Sequence, residues 1–213
     1  MWLRTSFLFL PCFPIAGAMS ISQTKADLRR QALERRASIS EEVREAFAQR
    51  IVREGIELCR RSFVQDIATF WPIGSEPDTR MLMMALGYHQ LHNCLPVTGP
   101  RGEALTFRRY AYGEPLCEGP MGTYEPVPHA PPAVPDFTFV PLAAFDRRGF
   151  RIGYGGGYYD ATLAHLRATN PGPAVGIAFS CQEIDAVPDE PHDQPLDLIL
   201  TEKELIDCSL AWR

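Results

Sequence analysis

A glycine-rich stretch, DRRGFRIGYGGGYYD at residues 146–160, holds residue types that suit the binding of phosphate. Glycine adopts positive φ and has no Cβ, so a glycine-dense turn lets successive N–H groups converge on phosphate oxygens. Arg147, Arg148 and Arg151 add positive charge, and a helix that begins near Tyr158 adds the positive end of its dipole. The stretch therefore predicts a phosphate site, and a nucleotide is the ligand that we expect there.

Asp160 ends the stretch with a negative charge. A carboxylate beside a phosphate repels it unless a cation lies between them, and Mg²⁺ is the cation that binds both groups. The standard phosphate motifs do not fit, because the chain has no G-x-x-x-x-G-K-[ST] and a dinucleotide fingerprint starting at Gly153 would need glycine at Tyr158. The alternative is a tight turn whose tyrosines only pack, but arginine, glycine, tyrosine and aspartate together favour the phosphate site.

Helix and strand patterns alternate along the chain around this stretch. Apolar residues recur at helical spacing within 25–36, and Ser38 with Glu41 forms the capping-box pattern of a second helix. A third helix pattern follows a strand pattern at 66–73 and has two candidate N-caps, Asp78 and Thr79. Further strand patterns lie at 95–97, 105–110, 137–142, 174–180 and 196–201, a further helix pattern at 158–169, and a proline-rich surface connection at 115–135.

This alternation predicts an α/β fold, a three-layer αβα arrangement with a mostly parallel central sheet of the Rossmann-like kind. Ligands of such sheets bind beyond the carboxyl ends of the strands. The glycine-rich stretch follows the strand pattern at 137–142 and leads into the helix at 158–169, so it has the position of a ligand-binding loop.

Length and composition place limits on the domain organisation. The chain has 213 residues, of which 46% are hydrophobic, and we interpret residues 19–213 as one domain with a sizeable core. Residues 1–18 superficially match a secretory signal, but Met19 opens a sequence typical of a cytosolic start, so we interpret 1–18 as a non-native or flexible extension. Its apolar run is too short and too rich in proline to span a bilayer, and we expect no membrane partner.

Charge and cysteine usage exclude further classes of protein. Residues 25–61 carry ten Lys/Arg against seven Asp/Glu, while residues 170–213 carry two against nine. The basic residues are interleaved with acids and lack an aromatic stacking platform, so we expect no nucleic acid partner. The six cysteines are scattered without C-x-x-C spacing, which favours reduced thiols and a cytoplasmic protein.

The stretch FDRRGFRIGYGGGYYDATL resembles the signature of the 5-formyltetrahydrofolate cyclo-ligase family. The family order also appears in KADLRRQAL, SEPDTRML, LPVTG, LTFRRY, GTYEP and GIAFSCQEIDAVPDEPHDQPLDLILTE, and the resemblance extends over roughly residues 24–203. The chain departs from the family at Ala161, where many relatives have arginine, and residues 1–18 have no family counterpart.

The resemblance implies an enzyme that converts 5-formyltetrahydrofolate and ATP into 5,10-methenyltetrahydrofolate, ADP and phosphate, with Mg²⁺ as cofactor. A phosphorylated formyl group, the iminium phosphate, is the implied intermediate. The implied partners are these small molecules, and we expect a monomer. Two alternatives remain open: a paralogue that acts on another formyl or folate-like compound, and a non-catalytic binder of folate or nucleotide.

The family motifs also imply roles for individual residues. The residues implied to bind ATP are Lys25, Arg29, Arg151, Gly153, Tyr154, Gly155, Gly156, Gly157, Tyr158 and Tyr159. Those implied to bind folate are Trp71, Glu76, Tyr154 and Tyr158. Arg151 and Tyr158 are the implied catalytic residues, and Asp160 and Asp193 the implied Mg²⁺ ligands.

Several of these residues also have a purely structural interpretation. Lys25 and Arg29 fit a solvated helix face, and Trp71 fits core packing. Glu76 fits a charge at a helix N-terminus, and Asp193 fits a turn cap. We expect one of the three tyrosines of the glycine-rich stretch to belong to the core, and we leave Glu125 of GTYEP without a role.

Overall fold

A sheet of eight strands forms the centre of the structure, a computed structural model that describes residues 21–208. The elements in chain order are α1 (Ile21–Ala37), α2 (Glu41–Ser62), β1 (Asp66–Ala68), α3 (Arg80–Tyr88), β2 (His92–Val97), β3 (Thr106–Arg109), β4 (Leu116–Glu118), β5 (Tyr124–Pro126), β6 (Pro132–Ala133), β7 (Phe137–Pro141), β8 (Ala144–Phe145), β9 (Arg151–Ile152), α4 (Tyr158–Thr169), β10 (Ala174–Ile177), β11 (Leu198–Leu200) and β12 (Leu205–Asp207). The prediction for residues 1–18 lies outside the described residues.

The strand order of the sheet is β12-β11-β10-β7-β1-β2-β3-β6. The five strands from β11 to β2 pair in parallel, while β12, β3 and β6 add antiparallel edges. The chain runs from β1 to β2 on one side and then crosses to β7 on the other side of β1. In doubly wound sheets, ligands bind at the point where the strand order reverses, which here lies at the carboxyl ends of β1 and β7.

Helices cover both faces of this sheet. Strand β7 shows the period of two that separates the faces, because Phe139 packs with α2 and α3 whereas Val140 packs with Leu163 of α4. Helix α1 contacts the β8 strand and the short turn at Ser180–Gln182. The prediction of a three-layer α/β fold with a mostly parallel sheet is confirmed.

Local signals explain where the helices begin. Helix α4 has the bounds that the sequence predicts. The capping-box prediction for α2 was wrong, because Ser40 is the N-cap and its Oγ accepts a hydrogen bond from Val43 N at 3.5 Å, while Ser38 donates back to Arg35 O at 2.7 Å. Ser38 therefore lies in the turn that follows α1.

One predicted strand and one predicted connection differ in the structure. Strand β1 ends at Ala68, although the pattern continues to residue 73. Thr69 N still donates to Cys94 O at 3.0 Å, and proline at position 72 has no N–H with which to extend the ladder further. The proline-rich connection at 115–135 contains the β4–β5 hairpin and the edge strand β6. Within residues 21–208, none of the helices has the length and apolar character needed to cross a membrane.

Candidate active site

Three segments meet at the carboxyl edge of the sheet: α1, the segment after β1, and the chain that follows β7. That chain first forms the β8–β9 hairpin and then the loop at residues 153–157, which we call the glycine loop. The hairpin turn is fixed by Asp146, whose buried carboxylate accepts from Arg148 N at 2.9 Å and Val187 N at 2.8 Å. Arg147 pairs with Glu183 and Glu204, and Arg148 pairs with Asp146. These two arginines of the stretch therefore bond to acids outside the glycine loop.

The backbone of the glycine loop requires glycine at two positions. Gly155 has φ 91° and Gly157 has φ 74°, in the left-handed region that side chains disfavour. Gly157 is also the N-cap of α4. Glycine has no side chain that could accept from the first amides of the helix, so no side-chain cap bonds those donors.

Two guanidinium groups contact this loop. Arg29 Nε of α1 donates to Gly153 O at 2.6 Å, and Arg101 Nη2, from the turn between β2 and β3, donates to Gly155 O at 2.7 Å. Burial lowers the pKa of Arg29, but a guanidinium stays charged at neutral pH. Gly102 N also donates to Gly156 O at 3.1 Å, so the β2–β3 turn lies directly on the loop. The sequence reasoning missed Arg101, and a basic residue in a turn gave no signal of its own.

Buried Arg151 and half-buried Asp160 form an ion pair beside the loop. Arg151 Nη2 lies 3.0 Å from Asp160 Oδ1, which also accepts from Gln194 N at 3.0 Å. Arg151 Nη1 donates to Gln194 O, and its side chain is only 4% exposed. Burial lowers the pKa of Arg151, and the charge of Asp160 opposes that shift. Asp160 keeps Oδ2 out of these hydrogen bonds.

Lys25 lies among the acids of the segment before β11. Its Nζ is 2.9 Å from Glu190 Oε2 and 2.7 Å from Asp193 Oδ2. Burial alone lowers the pKa of Lys25, but the hydrogen bonds to Asp193 and Glu190 outweigh it and the pKa is raised. Glu190, His192 and Asp193 each place one potential metal-ligand atom within 4.8 Å of the other two. The sequence reasoning missed Glu190, and the acidic character of the C-terminal part was its only signal.

Glu76, in the segment after β1, is buried and directly bonded to the glycine loop. Its Oε1 accepts from Tyr154 OH at 2.7 Å and its Oε2 from Ile73 N at 2.9 Å. Burial raises the pKa of the Glu76 carboxyl, and burial together with the Glu76 charge raises the pKa of Tyr154. Tyr154 OH accepts in turn from Arg36 Nη1 at 2.9 Å. Arg36 was missed, although it shares the Lys25 and Arg29 side of α1 by helical spacing.

The remaining predicted residues are aromatic. Trp71 is half-buried and its ring lies 6.2 Å from that of Tyr110 and 6.0 Å from that of Tyr124. Tyr158 OH donates to Gly99 O at 3.3 Å, in the β2–β3 turn. Burial raises the pKa of Tyr159, which packs against two apolar clusters, while Tyr158 packs against one of them.

Glu125 also has a definite place in the structure. Its Oε1 accepts from Thr98 N at 3.0 Å, so it connects the β4–β5 hairpin to the end of β2. The contact gives this carboxylate a structural role next to Tyr124, whose ring packs against Trp71.

Comparison with known proteins identifies the family to which this arrangement belongs. The family model for 5-formyltetrahydrofolate cyclo-ligases matches residues 21–202. The chain belongs to this family. It is 30% identical to the 5-formyltetrahydrofolate cyclo-ligase of Haemophilus influenzae over 84% of this chain and 98% of that protein. It is 32% identical to that of Mycolicibacterium smegmatis over 85% of this chain and 95% of that protein.

Solved structures agree with the family assignment. The NMR structure of Aquifex aeolicus 5,10-methenyltetrahydrofolate synthetase superimposes with a TM-score of 0.72 at 29% identity, covering 86% of this chain and 92% of that one. The Mycoplasma pneumoniae 5,10-methenyltetrahydrofolate synthetase gives a TM-score of 0.65 at 25% identity, covering 86% and 98%. The predictions of family and enzyme class are confirmed. The site must therefore serve a nucleotide-dependent cyclo-ligase.

Proposed function

We propose that this cyclo-ligase converts 5-formyltetrahydrofolate to 5,10-methenyltetrahydrofolate at the expense of ATP, releasing ADP and phosphate. One observation gives the strongest support for this assignment of the site. The glycine loop, which suits a triphosphate, is hydrogen-bonded through Tyr154 to the buried carboxylate of Glu76, which suits a pterin. A phosphate-binding and a heterocycle-binding element therefore meet in one place.

The chemistry requires alignment more than a protein nucleophile. A formamide oxygen attacks the γ-phosphorus of ATP, ADP leaves, and the formyl carbon becomes an iminium phosphate. N10 then attacks that carbon and gives up its proton, and cleavage of the carbon–oxygen bond releases phosphate, which takes up the proton, and leaves the methenyl bridge. Positioned positive charge and amide donors supply most of the catalysis of such a transfer. We propose that Arg29, the glycine loop and the start of α4 hold the triphosphate, with Arg151 beside them; the contact of Arg29 with the loop supports this.

The acids near the loop fit a magnesium ion by their chemistry. Mg²⁺ prefers oxygen ligands and commonly takes one or two carboxylates together with phosphate oxygens. Asp160 offers its Oδ2, and Asp193 and Glu190 form an acidic pair that Lys25 bridges in this structure. We propose Asp160 and Asp193 as the magnesium ligands. Bound there, the ion would screen the charge of the triphosphate during transfer.

Substitution of Asp160 by asparagine tests the magnesium assignment. We expect the Mg²⁺ concentration for half-maximal turnover to rise about tenfold, because one anionic oxygen ligand is lost. Mg²⁺ titrations of turnover at saturating ATP measure this change, and calorimetry should give an unchanged Kd for 5-formyltetrahydrofolate. An unchanged Mg²⁺ requirement would contradict the role of Asp160.

The folate end of the site depends on Glu76 and aromatic rings. A carboxylate accepts hydrogen bonds from the amino group and ring N–H of a pterin, and such charge-assisted bonds are strong. We propose that Trp71 offers its indole for stacking, with Tyr154 and Tyr158 near the substrate. Tyr158 connects α4 with the β2–β3 turn, so we propose that it closes the site over the reacting groups.

Arg101 provides a prediction about the nucleotide end. We expect Arg101→Ala to raise the KM for MgATP about five- to tenfold, because the loop loses a charged donor at Gly155 O and the triphosphate loses nearby positive charge. The KM for 5-formyltetrahydrofolate should stay within twofold. Steady-state kinetics with each substrate varied measure both values, and Arg53→Ala, an exposed arginine of α2, is the matched control. An equal rise in both KM values would contradict a contact specific to nucleotide.

A direct assay decides among the candidate functions. Purified protein is incubated with 5-formyltetrahydrofolate and MgATP, and the near-ultraviolet absorbance of the methenyl product is followed together with ADP release. Equal amounts of both products support the proposal. ADP release that depends on a different formyl compound would indicate the paralogue, and binding of both ligands without turnover would indicate a non-catalytic binder.

We propose in addition that the protein is a cytoplasmic monomer. All five cysteines within residues 21–208 are free thiols, which fits a reducing compartment. Size-exclusion chromatography with light scattering tests the monomer, since a mass near twice 23.9 kDa would contradict it.

A further inference from the structure

Arg36 is a buried cation that contacts three parts of the site. The residue is only 3% exposed, although arginine is rarely buried without specific partners. Its Nε donates to Ser75 Oγ at 2.9 Å, beside Glu76. Its Nη1 lies 2.9 Å from Tyr154 OH and 3.5 Å from Leu142 O, which follows β7. The guanidinium thus connects the segment that follows β1 with the segment that follows β7.

The contact with Tyr154 continues to Glu76. Tyr154 OH accepts from Arg36 and donates to Glu76 Oε1, so the hydroxyl has one partner on each side. A hydroxyl donates one hydrogen bond, and here the Glu76 carboxylate accepts it. We call the chain of Arg36, Tyr154 and Glu76 the relay. Its two hydrogen bonds include a charged partner at each end, which makes them stronger than bonds between neutral groups.

Helix α2 holds the same arrangement from outside. Arg44 Nη1 donates to Ser75 O at 2.9 Å, and Arg44 Nη2 donates to Arg36 O at 2.7 Å. The backbone at both ends of the Arg36–Ser75 contact is therefore fixed by one further side chain. A displacement of the relay must arise mainly from the glycine loop, which contributes Tyr154.

The glycine loop connects the relay to the nucleotide. Tyr154 lies between Gly153, which accepts from Arg29, and Gly155, which accepts from Arg101. Arg29 and Arg36 belong to one helix, so α1 contacts the loop backbone at Gly153 and its side chain at Tyr154. A triphosphate that orders the loop would place the Tyr154 hydroxyl, and with it the Glu76 carboxylate.

We propose that Arg36 is a positioning residue, and that the relay couples the two ligands so that bound nucleotide strengthens folate binding. The inference rests on the proposed function, because it assumes a triphosphate at the loop and a pterin at Glu76. Coupling between binding sites is reciprocal, so folate must strengthen nucleotide binding by the same factor. Couplings of this kind commonly change affinity by five- to 150-fold.

Calorimetry measures the coupling directly. The Kd of 5-formyltetrahydrofolate is determined for the full-length protein alone and with saturating Mg²⁺ and a non-hydrolysable ATP analogue, and the ratio of the two values is the coupling factor. We expect a factor of about five or more for the wild type. Tyr154→Phe keeps the ring and removes the hydroxyl, and we expect its factor to fall below about two.

Two further variants separate coupling from folding. Arg36→Lys removes the planar fork that reaches Ser75 and Tyr154 together, and should lose coupling as Tyr154→Phe does. Arg35→Lys changes the neighbouring exposed arginine of α1, which bonds Cys181 O, and should keep the wild-type factor. If Arg36→Lys fails to fold, Tyr154→Phe still decides the question.

Each outcome bears on the relay. A wild-type factor near one, or an unchanged factor in Tyr154→Phe, overturns it. Failure of the wild type to bind either ligand would contradict both the proposed function and the relay. Binding of both ligands without coupling would contradict the relay alone.

Discussion

Replacing Arg151 by lysine is expected to lower kcat by about 10²-fold while leaving the KM for 5-formyltetrahydrofolate within threefold. Loss of one preorganised charged donor at a transferring group typically costs 10²- to 10³-fold in kcat. Lysine keeps the positive charge, but a single ammonium does not reproduce the fork that bonds Gln194 O and Asp160 Oδ1 together. Production of the methenyl compound at saturating substrates measures the loss.

Arg147→Lys is the matched control for this experiment. Arg147 belongs to the same hairpin, but it is exposed and pairs with Glu183 and Glu204, and exposed ion pairs contribute little. Its kcat should stay near the wild-type value. Thermal unfolding of both variants shows whether a loss of activity merely follows a loss of structure. A kcat within threefold of the wild type in folded Arg151→Lys protein would contradict the role of Arg151.

Two partly buried ion pairs already occupy the acids of the site. Asp160 and Asp193, the proposed magnesium ligands, each hold a cation of the chain, Arg151 and Lys25 respectively. Binding of MgATP would therefore rearrange existing pairs, because the ion and the cationic side chains compete for the same carboxylates. Lys25 would exchange its two carboxylate partners for phosphate oxygens, since the triphosphate is itself a strong partner for an ammonium group.

Local signals account for what the sequence alone predicted well. The bounds of α4 follow from its apolar spacing and from the glycines before it, and both signals lie within the segment that they specify. The parallel sheet follows from the alternation of elements, and its carboxyl edge from a general rule of such sheets.

The contacts of single side chains depended on distant parts of the chain and were not predictable in the same way. Tyr154 reaches Glu76, 78 positions away, because the flanking glycine-rich backbone and α1 direct its ring. Glu190 meets Lys25 at a separation of 165 residues. Arg36 had a usable signal in its helical spacing from Lys25 and Arg29, but charge on a helix is commonly solvated, and only the fold shows that this arginine is buried.

Glu76→Gln is the second substitution with a large expected effect. We expect the Kd of 5-formyltetrahydrofolate to rise about 10²-fold, because hydrogen bonds to a charged acceptor contribute roughly 1.5–3 kcal/mol each. The amide also presents N–H groups where the pterin presents its own donors. The Kd of MgATP measured without folate should stay within threefold. Glu57→Gln, an exposed acid of α2, is the matched control for loss of a carboxylate.

Acidity distinguishes the role of Glu76 in binding from its role in folding. Burial raises the pKa of this carboxyl in the folded chain, so the native state favours the protonated form more than the unfolded chain does. The stabilising contribution of that form is present below the unfolded pKa and is lost as the pH rises through the raised pKa. Folate binding has the opposite dependence, because it needs the ionised acid, and should weaken as the pH falls through the same value. Glu76→Gln should therefore bind folate poorly yet unfold at neutral pH no more easily than the wild type, as thermal unfolding and calorimetry over a pH series would show. Tight folate binding by this variant, or a binding profile flat from neutral to acidic pH, would contradict the assignment of Glu76 as the acid that recognises the pterin.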